Sequence, residues 1–253
     1  MELGYLAPLL RSRNIELIPW HEPSKLRSSK VSDYSFAQWM ESLLIAIRRE
    51  AAQSRVGLIG HSFGCIGAIR AAAELPDHVS EIVLLAPALD QFATHTRIAE
   101  IAVHDFSDSA PETAEKIRAL LSQSKACSDE SMRLAVHLAS QDPRLLTHYW
   151  YNPEAMTHSL THIDSPEKQV DMDSFFAVSE DYTSNYISTL GSFRPKQPTR
   201  VLFFGEDQVT HETAERQILG RLLPQATIDR ELGLGHFGHL DDPERVSAWI
   251  SKL

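Results

Sequence analysis

The chain has 253 residues, 43% of them hydrophobic and 23% charged. These are the proportions of a soluble globular protein with room for a sizeable core, and they exclude a disordered or fibrous chain. Lys and Arg number 24 against 34 Asp and Glu, and the net charge of -10 disfavours a nucleic-acid partner, whose phosphates require a basic surface.

No run reaches the roughly 18 apolar residues of a membrane span. The N-terminus lacks the basic start and continuous apolar stretch of a signal peptide. The two cysteines, Cys65 and Cys127, have neither disulfide-framework nor metal-type spacing. A cytoplasmic protein is therefore expected.

In chain order, a weak strand is predicted at Ile15 to Ile18. A helix follows, with Phe36, Met40, Leu43, Leu44 and Ile47 at helical spacing and Ser35 with Gln38 as a capping box. Val56-Gly57-Leu58-Ile59, Ile82 to Ala86 and Val201 to Phe204 are apolar almost throughout, as strands covered on both faces are. Between the first two lies a small-residue helix with Gly64, Gly67, Ala68, Ala71, Ala72 and Ala73. Ile218, Leu219, Leu222 and Leu223 mark another helix, Ala226 to Leu232 a weaker strand, and Pro243 the start of a last helix carrying Val246, Trp249, Ile250 and Leu253.

Strand and helix patterns alternate from 15 to 87 and again from 200 to the end, which predicts an α/β fold with a mostly parallel sheet. Residues 88–199 break that rhythm. They read mostly as helices, with candidates near Thr113 to Ser122, Ser131 to Ala139 and Phe175 to Thr189, and they hold most of the net negative charge. The expected organisation is a core of 1–87 and 200–253 with an inserted helical cap at 88–199.

The chemistry centres on Gly60-His61-Ser62-Phe63-Gly64, a GxSxG run between an apolar strand and a helix. A serine hydroxyl is a poor nucleophile at neutral pH and needs a base, an orienting acid and exposure. A tight strand-to-helix turn supplies the exposure, and the N–H of the next residue, Phe63, points toward a developing oxyanion.

This run, with FFGEDQVT at 203–210 and GLGHFGHLDDPERV at 233–246, resembles the nucleophile, acid and histidine segments of the α/β-hydrolase fold superfamily, in the group with a helical cap. The resemblance covers nearly the whole chain apart from the cap. It implies that Asp207 orients the base and that His236 takes the proton from Ser62, with Glu206 and His239 as the rival positions. His61 reads as structural and Cys65 as a packing residue.

The stretch 88–199 holds His95, His104, His137, His148, His158 and His162, of which His158 and His162 are i, i+4 without a third ligand, so no metal is expected. Tyr149-Trp150-Tyr151 and Phe175-Phe176 fit either an apolar pocket lining or ordinary packing.

By the same resemblance Tyr5 to Arg11 is the helix before the strand at 15–18, which leaves no earlier strands and no His-Gly pair for a second oxyanion donor. An N-terminally shortened sheet is expected. The alternatives are a rearranged pairing of 15–18 beside 56–59 and a non-catalytic relative. Ser28 and Ser29 are assigned no role.

The resulting expectation is a serine hydrolase for a small or medium acyl ester or thioester. Its catalytic residues are Ser62, Asp207 and His236, its oxyanion donor is Phe63, and it needs no cofactor or metal. The alternative is a barely active or non-catalytic relative that binds ligands or serves as a scaffold.

Overall fold

A four-stranded parallel sheet lies at the centre of the structure, a computed structural model that describes residues 2–20, 35–125, 129–141, 143–163 and 172–252. Its strands are β1 (Val56–His61), β2 (Val79–Leu85), β3 (Thr199–Phe204) and β4 (Thr227–Glu231), in the spatial order β1-β2-β3-β4. Ile59 pairs with Val83, Leu85 with Leu202, and Phe204 with Glu231, so all four strands run the same way. Their C-terminal ends therefore share one edge of the sheet, the edge at which open parallel sheets bind ligands.

Both faces of the two middle strands are covered, which is why their sequences are apolar without alternation. Ile82, Leu84, Val201 and Phe203 face a core built with α2 (Phe36–Glu50), α3 (Gly64–Glu74) and α10 (Glu212–Leu222). Val83, Leu85, Leu202 and Phe204 face Leu6 and Leu10 together with Val246, Trp249 and Ile250 of α12 (Pro243–Ile250). Leu6 ends a 3-10 turn at Glu2–Leu6, and Leu10 lies on α1 (Ala7–Arg11). The predicted capping box on α2 is present: Gln38 N–H donates to Ser35 Oγ at 3.2 Å and Ser35 N–H to Gln38 Oε1 at 2.9 Å.

Residues 15–18 form no strand, which corrects the reading of that segment. The alternation is there, with Ile15 and Leu17 packed against the second core and Ile18 exposed, but among the described residues no strand pairs with it, and the Ile15 N–H donates instead to the Leu10 carbonyl at 2.9 Å. Period two in the side chains satisfied the burial requirement without a ladder. Ser28, Ser29 and Cys127 lie outside the described residues, as do the side chains of His162, Phe175 and Phe176.

Between β2 and β3 the described chain is helical: α4 (Gln91–Ser109), α5 (Pro111–Gln123), α6 (Glu130–Ser140), a 3-10 turn (Pro143–Tyr149), α7 (Pro153–Ile163), α8 (Met172–Asp181) and α9 (Ile187–Leu190). A π turn at Tyr182–Tyr186 interrupts the helix predicted over 175–189. Ile98, Ile101, Ile117, Met132, Val136 and Leu145 form a third core, and Val209 from the loop after β3 is part of it.

The chain leaves β2 for this helical segment under the control of one buried carboxylate. Glu215, on α10 and 1% exposed, accepts the N–H groups of Leu89 and Asp90 at 2.9 and 3.0 Å. Asp90 in turn caps α4 through the N–H of Ala93 at 3.0 Å.

Burial raises the Glu215 pKa from the ordinary 4.5 to about 7, against the lowering effect of its two backbone hydrogen bonds. The folded value lies above the unfolded one, so the stability from this group is complete below pH 4.5 and is lost as pH rises through 7. The whole effect is roughly 3 kcal/mol. Thermal melts between pH 4 and pH 8 should show this decline in the wild type and a flatter profile in Glu215→Gln, which cannot ionise. Parallel profiles would count against it.

Candidate active site

Ser62 occupies the turn between β1 and α3 with a φ of 51°, in the left-handed region that a residue with a side chain adopts only when its surroundings impose it. Its N–H donates to the carbonyl of Leu85 at the end of β2, at 3.0 Å. The turn folds back so closely that a Cβ on Gly60 would lie 2.8 Å from Cα of Cys65 and from the carbonyl oxygen of Gly64. Gly64 has open space where a Cβ would stand. Of the two flanking glycines, steric crowding therefore requires only the first.

The loops after β3 and β4 bring two further side chains to this turn. Nε2 of His236 lies 3.0 Å from Ser62 Oγ, and Nδ1 of His236 lies 2.9 Å from Asp207 Oδ2. An ionised carboxylate only accepts hydrogen bonds. The Nδ1 position therefore carries the proton, and Nε2 presents its lone pair to the serine hydroxyl. His236 is 2% exposed.

Asp207 is held ionised by a closed set of donors. Oδ1 accepts the N–H groups of Val209 and Thr210 at 2.8 and 3.1 Å, and Oδ2 accepts the Thr210 hydroxyl at 2.6 Å as well as His236. Burial pushes its pKa up, but the charge of His236 and the hydrogen bonds from His236 and Thr210 outweigh burial and hold it below 3.8.

The rival positions are placed elsewhere. Glu206 is exposed, its N–H donating to the carbonyl of Leu234 at 2.9 Å. His239 is fully buried on α11 (Gly238–Asp241), its ring 4.5 Å from that of His61. His61 does more than pack: its Nε2 lies 2.9 Å from the carbonyl oxygen of His236 and ties the serine turn to the histidine loop. Cys65 is buried with its thiol 3.6 Å from the Leu85 carbonyl, and burial pushes its pKa up, which makes it unreactive.

Phe63 stands at the N-cap of α3, its ring packed against Trp39, Tyr182 and Phe36 at centroid distances of 5.5, 5.8 and 6.2 Å. Of the aromatic run in the helical segment, Tyr149 meets the edge of the His236 ring at 5.4 Å and Trp150 packs on Phe237 at 4.6 Å, while Tyr151 is exposed.

Three residues around the site were missed in the sequence reading. Thr210 stands three residues after Asp207, the spacing of a local side-chain-to-backbone turn, and that signal was readable. His148 bridges Asp105 of α4 and Gln208 beside Asp207, at 2.8 Å to each. Asp241 accepts backbone N–H groups from both the histidine loop and residues 151–152. The last two join distant segments and leave no local pattern. Among the described residues no group of three His, Cys, Asp or Glu side chains could hold a metal ion, and no helix is long and apolar enough to cross a membrane.

Because the Asp207 pKa is depressed, its ionised form stabilises the fold above pH 3.8, and that contribution is lost as pH falls through the folded value. Thr210→Val removes one donor at constant shape. It should cost about 2 kcal/mol at pH 7, the usual worth of a hydrogen bond to a charged group. The cost should shrink as pH falls through the depressed folded value, where the carboxylate protonates in the native state. Denaturant melts at pH 7 and down the acid limb check both parts.

The sequence matches none of the curated proteins. Among solved structures, the proline iminopeptidase-related protein of Thermus thermophilus is similar at 18% identity and a TM-score of 0.61, over 94% of this chain and 73% of that one. An alpha/beta fold family hydrolase of Bacillus anthracis str. Sterne is similar at 17% identity and 0.56, over 89% and 76%. The monoacylglycerol lipase of Paleococcus ferrophilus is similar at 17% and 0.54, over 99% and 88%. At these identities the likeness is one of fold. The family described as the alpha/beta hydrolase fold matches residues 18–243, nearly the whole length, and the chain belongs to that family.

Proposed function

We propose that the chain is a serine hydrolase that cleaves a small or medium acyl ester or thioester through an acyl-enzyme on Ser62. The observation that carries this reading is the continuous line from Ser62 Oγ through His236 to Asp207, with contacts of 3.0 and 2.9 Å and the serine held at a strained φ.

In the first half of the cycle His236 takes the serine proton as Oγ attacks the acyl carbon, and Asp207 stabilises the imidazolium that results. The N–H of Phe63, at the start of α3, donates to the oxyanion, where the helix dipole also favours negative charge. His236 then gives its proton to the leaving group. Water, deprotonated by the same nitrogen, releases the acid and regenerates the serine.

Residues 88–199 serve as a cap over the core of 1–87 and 200–253. The supporting contacts are Val209 in the helical core, Tyr149 against His236 and His148 on Gln208. The substrate is a small molecule and the chemistry calls for no cofactor. A free, buried Cys65 fits a cytoplasmic setting.

The competing reading is a relative that binds ligands without turnover. A fluorophosphonate probe distinguishes them. The folded wild type should label on Ser62 and Ser62→Ala should not, whereas a folded wild type that fails to label would overturn the hydrolase reading. Asp207→Asn should remain folded and label about 10⁴-fold more slowly, because the amide favours the wrong imidazole tautomer.

A further inference from the structure

The backbone that carries His236 is held at three consecutive residues. Gly235 N–H donates to Asp241 Oδ2 at 2.7 Å, the His236 carbonyl accepts from His61 Nε2 at 2.9 Å, and Phe237 N–H donates to the Tyr149 carbonyl at 2.9 Å. Asp241 reaches beyond its own loop. Its two oxygens also accept the N–H of Tyr151, at 3.0 and 3.2 Å, and its Oδ1 accepts the N–H of Asn152 at 2.9 Å. One carboxylate, 8% exposed, thus gathers three backbone N–H groups from two segments of chain.

The two segments touch with no side chain between them at one point. A Cβ on Gly235 would lie 2.7 Å from the carbonyl carbon of Trp150 and from the nitrogen of Tyr151. Such contact is tolerable only when the facing polar groups of both strands of chain are satisfied. A buried carboxylate does this with charge-assisted bonds roughly twice as strong as neutral ones. Without it, the buried N–H of Gly235 and the half-buried N–H groups of Tyr151 and Asn152 would lose their partner.

We propose that Asp241 is the positioning residue for His236, tying the loop just before the ring to residues 151–152 so that Nε2 stays aimed at the reacting atoms. This rests on the hydrolase reading. The demand for such a clamp is greatest in the second half of the cycle. Once Ser62 Oγ is esterified it has no proton to give, and the ring loses one of its two side-chain anchors. The backbone bonds then hold the ring in place for the attacking water, along with Asp207.

Asp241→Asn replaces one acceptor by an NH2 group that faces a backbone N–H, and it leaves Ser62, His236 and Asp207 in place. With p-nitrophenyl acetate, the pre-steady-state burst should slow by about tenfold and the steady-state rate by about a hundredfold, the size of effect that a misplacement of about 1 Å produces. Burst amplitude should be retained. The low-field proton resonance of His236 Nδ1–H should broaden.

A merely structural role would instead lower the burst amplitude and leave the ratio of the two rates unchanged. That result, or wild-type rates with a sharp resonance, overturns the proposal. Should Asp241→Asn fail to fold, amide exchange in the wild type decides. The N–H groups of Gly235, Tyr151 and Asn152 should be protected together and slow further when Ser62 is phosphonylated, and unchanged exchange overturns the clamp. If the wild type gives neither burst nor label, the hydrolase reading fails. In that case the resonance and the exchange rates of unlabelled protein still report on whether Asp241 holds the loop.

Discussion

An ionised carboxylate has to survive in a nearly water-free setting at Asp207, and much of the surrounding structure follows from that constraint. An uncompensated buried charge would take up a proton, and a protonated Asp207 could no longer fix the tautomer of His236. The compensation comes from three sources at once: two backbone N–H groups of its own turn, the Thr210 hydroxyl and the His236 ring. Each of these depends on β3 ending where it does. The turn is anchored by Val209 in the helical core, and the His236 loop by Glu206 N–H on the Leu234 carbonyl.

Parallel pairing is what makes this convergence possible. Ser62, Asp207 and His236 are far apart in sequence, yet each follows the C-terminal end of a strand, and in a parallel sheet those ends meet at one edge. The apolar runs of β2 and β3 were legible because both of their faces are covered. β4, with Thr227, Ile228, Asp229, Arg230 and Glu231, is an edge strand whose residues are at most half-buried, and it carried a correspondingly weaker signal.

The sequence was readable where the determinant was local and obscure where it was not. The capping box at Ser35, the small-residue helix after Ser62 and the proline start of α12 each sit within a few residues of the element they define. Residues 15–18 misled because alternation reports burial and not pairing. α4 escaped because its buried face includes Gln91, Thr94 and His95, polar residues that break the apolar period. The three principal site residues stood in recognisable segments. His148 and Asp241, which reach the loops that carry them, act through contacts with distant backbone or side chains, for which a single sequence holds no pattern.

Those distant contacts bear on how the helical segment and the core work together. The stretch 148–152 reaches the acid loop through His148 and Gln208, and it reaches the histidine loop through the Tyr149 carbonyl and the Asp241 carboxylate. The chain's exit from β2 is held at the same time by Glu215, which belongs to the helix following the acid loop. A shift of the helical segment therefore cannot be absorbed at its hinges alone. It bears on both the loop of Asp207 and the loop of His236, two groups whose contact sets the proton position on the ring. The segment between β2 and β3 and the two loops that bring Asp207 and His236 together are, on this geometry, parts of one mechanical unit.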